Sequence, residues 1–94
     1  PIIAEAFDYA AMGLIPAGAY KNREFRQEMV ECGPEVKQAT EDLLYDPQTS
    51  GGLLISVGQE SAEPLTAALK AAGIESAAVI GEVLEGPEER IFVR

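Results

Sequence analysis

The sequence has no histidine. That removes every Ser–His or Cys–His catalytic pairing and every His–Cys zinc site. It has one cysteine, Cys32, which can form no internal disulfide and so fits a reducing compartment, the cytoplasm. Glu28, Glu31 and Glu35 surround Cys32 in sequence, and nearby carboxylates raise a thiol pKa, so Cys32 reads as structural rather than nucleophilic. Basic residues are scarce: 7 Lys and Arg face 16 Asp and Glu, a net charge of −9. Such a surface repels nucleic acid and anionic membranes. No stretch reaches the ~18 apolar residues of a membrane-spanning helix. No basic segment leads into a short apolar one at the start, so no signal peptide is expected. The chain opens on Pro1 rather than Met, as a piece of a longer protein would.

What remains is globular in composition, 47% hydrophobic and 24% charged over 94 residues, and sized for one domain or part of one. A domain this short buries only about 60–65% of its unfolded surface, so modest stability is expected. Ile2, Ile3, Ala6, Phe7 and Ala10 make one helical stripe, with Gly13 a left-handed stop. From Leu14 to Phe25, Pro16 and Gly18 predict a loop. Pro34 predicts the first position of a second helix carrying Val36, Ala39, Thr40, Leu43 and Leu44, which ends by Tyr45 because Asp46 precedes Pro47. The apolar run Leu53–Val57 reads as a strand covered on both faces. A further helix follows, with Ser61 near its start, Pro64 in its first turn, Gly73 past its end, and Leu65, Ala68, Leu69 and Ala72 as its stripe. Ser76–Val83 and Ile91–Val93 read as strands, the last a possible hairpin partner of the one before. The fold class is α/β, an α+β layer of helices on a small mixed sheet.

Two stretches carry more than structure needs at first sight. Lys21, Asn22 and Arg23 are the one basic cluster; they are either solvated charges or donors to an anionic ligand. Asp46-Pro47-Gln48-Thr49-Ser50-Gly51-Gly52 joins helix to strand. There Asp46 can bond its own backbone two residues on, Pro47 pre-sets the turn, and the glycines allow positive φ and close approach. Successive N–H groups in such a turn can form an anion-binding nest. It is not a P-loop, since no Gly-Lys-Ser/Thr follows and the glycines lead into a strand. Two readings stay open: a tight connector that needs glycine for steric reasons, or a cradle for an anion.

Asp46-Pro47-Gln48-Thr49-Ser50-Gly51-Gly52-Leu53-Leu54-Ile55 resembles the signature of the selenophosphate synthetases, also called selenide, water dikinases. "PAGAYKNREF" is similar to that family's Pro-Gly-rich segment ending in Asn, and Gly81-Glu82-Val83 resembles the strand that closes its second domain. The resemblance covers nearly the whole chain. It implies a fragment, residues 1–94, of a C-terminal domain of the type shared with aminoimidazole ribonucleotide synthetase. The family moves the γ-phosphoryl group of ATP to selenide with Mg²⁺, releasing selenophosphate, AMP and phosphate.

The family's Gly-rich segment, its reactive Cys or selenocysteine with a nearby Lys, its metal-holding aspartates and its Thr-Asp-Val-Thr-Gly-Phe-Gly segment are absent here, and Cys32 does not match the reactive position. The resemblance therefore implies an N-terminal ATP- and metal-binding domain as partner, a homodimeric full-length enzyme, and a fragment that is inactive alone and holds no cofactor tightly. Catalysis of phosphoryl transfer rests on positioning and charge stabilisation. Thr49, Ser50, Gly51 and Gly52 are then the candidates near the phosphates, with Asn22 and Lys21 behind them. No residue offers itself as general base or metal ligand. Two alternatives remain: a related ATP-dependent synthetase or kinase with another substrate, against which the intact Asp-Pro-Gln-Thr-Ser-Gly-Gly argues, or a stand-alone acidic interaction module.

Overall fold

A computed structural model describes all of residues 1–94. The chain divides into two compact units, one made of Ile2–Ser50 with Leu84–Arg94, the other of Gly51–Val83 with Pro1.

The first unit begins with helix α1 (Ala4–Ala11). It stops where the sequence asks: Gly13 has φ 75°, the Gly13 N–H donates to the Ala10 carbonyl and the Leu14 N–H to the Tyr9 carbonyl, both at 2.9 Å. This paired closure uses carbonyls that a helix end otherwise leaves without partners. The expected loop is instead a helix, α2 (Ala17–Arg26). Pro16 does not break it because Pro16 stands just outside, at the N-cap with φ −58° and ψ 141°. Gly18 lies in the first turn, where a glycine costs about 1 kcal/mol relative to Ala. Its reason is tertiary: a Cβ there would stand 2.9 Å from Cγ of Pro47.

A 3₁₀ turn (Gln27–Met29) leads to strand β1 (Val30–Cys32), a three-residue strand not foreseen in the sequence. Pro34 opens a turn, not the helix; α3 runs Gln38–Leu44 behind Lys37 as N-cap. It ends at Tyr45, as the Asp-Pro pair requires. Helix α1 packs on α3. Strand β2 (Ile91–Val93) pairs with β1 in parallel, Val30 opposite Ile91 and Cys32 opposite Val93, so it is no hairpin partner of the preceding segment and the sheet is parallel rather than mixed. The Gly33 N–H adds a bond to the Val93 carbonyl, and Arg90 Nη1 donates to the Glu28 carbonyl at 2.6 Å. The buried centre is small: Ala10, Ala19 and Tyr45.

The second unit holds helix α4 (Gln59–Ala71), capped by Gly58. Pro64 falls in its second turn, not its first. The helix closes like α1, with Gly73 at φ 92° and the Ile74 N–H on the Leu69 carbonyl at 3.0 Å. Leu65 and Leu69 of the expected stripe are half-buried, while Ala68 and Ala72 are exposed. Leu53–Val57 and Ser76–Val83 enter no strand pairing, contrary to expectation, and Leu53 is 90% and Val83 88% exposed. Their apolar pattern is that of covered strands, yet these residues contain no partner for them. No helix is long and apolar enough to cross a membrane.

Candidate functional site

The site grows from the end of α3. Asp46 N–H donates to the Leu43 carbonyl at 3.2 Å, and Gln48 N–H to the Asp46 carbonyl at 2.9 Å, closing a three-residue turn around Pro47. The main chain of Asp46, not its carboxylate, thus accepts from Gln48, which differs from the side-chain turn expected in the sequence. Asp46 through Gly52 are all exposed. The hydroxyls of Thr49 and Ser50 bond nothing within the protein, and no main-chain bond uses the N–H groups of Thr49, Ser50, Gly51 or Gly52. The left-handed glycines of the chain are Gly13 and Gly73; Gly51 and Gly52 are not among them, contrary to the expectation of positive φ. A Cβ on Gly52 would meet nothing within 4 Å. The steric demand that a mere connector would place on Gly52 is therefore absent.

Helix α2 supports the turn from one side. Gly18 and Asn22, four residues apart, share a face, and Arg23 lies about 100° round the helix from Asn22. Gly18 lies against Pro47, and Asn22 Nδ2 donates to the Tyr45 carbonyl at 2.9 Å. The Arg23 guanidinium bridges Glu41 at 2.5 Å and Asp42 at 2.8 Å, and its carbon stands 5.7 Å from the Tyr45 ring centre. The Asp42 carboxylate also accepts from Gln38 Nε2. The hydrogen bond that Arg23 donates to Glu41 raises its pKa above the usual range, with burial opposing. Tyr45, 8% exposed, has its phenol pushed up by burial first and by Glu41 second, while Arg23 pulls the other way.

The basic cluster therefore separates. Asn22 and Arg23 turn toward α3, whereas Lys21 is exposed and makes no ion pair. Of the residues around the turn, the sequence marks Arg23 only as part of the basic cluster, Gly18 only as a helix breaker and Tyr45 only as a helix end. The i, i+4 spacing of Gly18 and Asn22 puts both on one face only if the stretch is helical.

Cys32, in β1, is half-buried. Burial first and Glu41 second push its thiol up, with Arg23 opposing, so the direction matches expectation but Glu28, Glu31 and Glu35 are not the cause. Fewer thiolates at a given pH mean slower alkylation. The pH–rate profile for iodoacetamide is expected to have a higher midpoint in the folded chain than in urea; an equal or lower folded midpoint contradicts this.

Residues 7–94 match the family described as AIR synthase related protein, C-terminal domain. The chain is 60% identical over 93 residues to a selenide, water dikinase of Pelobacter propionicus, and 48% identical over 93 residues to one of Clostridioides difficile. It is 47% identical over 93 residues to selenide, water dikinase 2 of Peptoclostridium acidaminophilum. Each similarity covers 99% of this chain, but only 27%, 27% and 26% of the respective relatives. No solved structure matches the chain.

Proposed function

Because this chain belongs to the AIR synthase related protein family, matching its C-terminal domain, we propose that it is the latter part of that domain in a selenide, water dikinase. The full protein makes selenophosphate, AMP and phosphate from ATP, selenide and water. The observation that carries the site is the run Thr49–Gly52: the exposed hydroxyls of Thr49 and Ser50 and four consecutive N–H groups that no main-chain bond uses, the last of them on a glycine whose neighbourhood would accept a side chain. Free donors of this kind suit the phosphates or the released anion, where charge develops during transfer. Lys21 stands behind them as a second candidate, while the Asn22 amide already donates to the Tyr45 carbonyl.

The donor set does not suit a metal. No three His, Cys, Asp or Glu side chains stand together, and no step is assigned to Mg²⁺ here. The N-terminal domain of the same protein is the proposed partner, in a cytoplasmic homodimer. Leu53, Leu54 and Val83 are apolar side chains left exposed, which such a neighbour would cover.

The test compares two preparations. The full-length protein is expected to form AMP from ATP only when selenide is present. The 94-residue chain alone is expected to form none above a heat-treated control. Selenide-independent turnover by the full-length protein, or AMP release by the chain, defeats the reading.

A further inference from the structure

The last carbonyl of a helix is free to accept a bond, and a side chain that supplies one fixes the direction in which the chain leaves. At the end of α3 that side chain comes from 23 residues away: Asn22 Nδ2 on the Tyr45 carbonyl. The peptide plane so fixed is the one joining Tyr45 to Asp46. Pro47 follows, with its own φ restrained by the ring, and its Cγ and Cβ pack where a Cβ on Gly18 would stand only 2.9 and 3.1 Å away. Two contacts from one helix face thus restrain the residues immediately before Thr49. We propose that Asn22 is a positioning residue for the Asp46–Ser50 turn, acting with Gly18, and that it serves the anion site through Tyr45 rather than by touching the ligand. This rests on the reading of Thr49 and Ser50 as anion donors. Misplacing a group by ~1 Å can cost about 100-fold in rate, and the lever here is short, since Thr49 is four residues from Tyr45.

The test uses the full-length protein. Asn22→Asp keeps the shape but, when ionised, turns a carboxylate on the Tyr45 carbonyl in place of a donor. It is expected to lower kcat/KM about 10- to 100-fold at neutral pH. In a background carrying Thr49→Val and Ser50→Ala, the same change is expected to cost less than about threefold, because residues acting through one another are not additive. Gly18→Ala, which must push Pro47 and leaves Asn22 untouched, is expected to give the same non-additive pattern. Losses that add in full mean that Asn22 reaches the ligand itself and overturn the proposal. So does full kcat/KM in Asn22→Asp below its melting transition, which would leave a helix cap only.

A readout that needs no activity separates this from the reading on which it rests. The Thr49 and Ser50 amide resonances are expected to shift in both Asn22→Asp and Gly18→Ala. Unmoved resonances overturn the positioning role, whatever the hydroxyl variants show. Full activity in Thr49→Val with Ser50→Ala defeats the anion-donor reading instead.

Discussion

Thr49→Val and Ser50→Ala are each expected to lower kcat/KM of the full-length protein about 10- to 150-fold, while the melting temperature of this chain moves by only a few degrees. Both hydroxyls are exposed and bond nothing in the protein, so their removal deprives the fold of no interaction. A hydrogen bond to a charged group contributes roughly 1.5–3 kcal/mol, and the same energy made in the transition state is about 10- to 150-fold in rate. Valine keeps the shape of threonine closely enough that the backbone has no cause to move.

Gly52→Ala sharpens the comparison. With no left-handed φ and no atom within 4 Å of the added Cβ, it is expected to leave the chain's stability unchanged and yet to impair the full-length protein. Gly13→Ala and Gly73→Ala are the opposite controls. Both positions are left-handed, and each substitution is expected to cost roughly 1–2 kcal/mol of stability. The measurement pairs thermal melts of the chain with kinetics of the full-length protein. Full activity in both hydroxyl variants would leave the turn a connector.

The parts of this fold that were legible in the sequence are those with local causes. Gly13 and Gly73 close α1 and α4 because only a residue without a Cβ enters the left-handed region cheaply, and that is a property of one position. The end of α3 at Tyr45 was legible for the same reason, through Pro47. Helix α2 was not, because Pro16 and Gly18 each read as breakers. Pro16 is harmless outside the first turn, and Gly18 answers to Pro47, 29 residues further on. Strand β1 was missed because three residues are too few for a period, and its partner lies some sixty residues away.

The helical form of α2 also decides how the basic cluster is arranged. Read as a loop, Lys21, Asn22 and Arg23 form one basic cluster. On a helix, with about 100° between successive residues, they diverge. Lys21 faces solvent, while the other two reach α3. The Asp46–Gly52 turn, by contrast, stood out by composition alone, because so many donors and glycines in seven residues have few structural reasons to be together.

Arg23→Ala is expected to loosen α3 more than any other single surface change in this chain. The guanidinium is held by two carboxylates whose side chains are only 25% and 14% exposed, and its own is 26% exposed. Fully exposed pairs are worth little, but removing one partner of a desolvated set leaves the others facing each other uncompensated. With partial solvent screening, a loss of about 2–3 kcal/mol is the expected scale. In the full-length protein this is read as faster hydrogen exchange of the α3 amides, about 30- to 150-fold under conditions where local opening limits exchange. Arg23→Lys keeps the charge but not the planar fork that reaches both carboxylates at once, so it is expected to recover only part of the protection. The sign with pH is also fixed. The Arg23 pKa is raised on folding, chiefly by its hydrogen bond to Glu41, so its stabilisation is present in full below the unfolded-state pKa and is lost only as pH rises through the folded value. An arginine remains charged over the whole working range, so no alkaline loss of α3 protection is expected there from this clamp. Exchange in Arg23→Ala within twofold of the unsubstituted protein would mean that the packing of α1 on α3 holds the helix without the clamp.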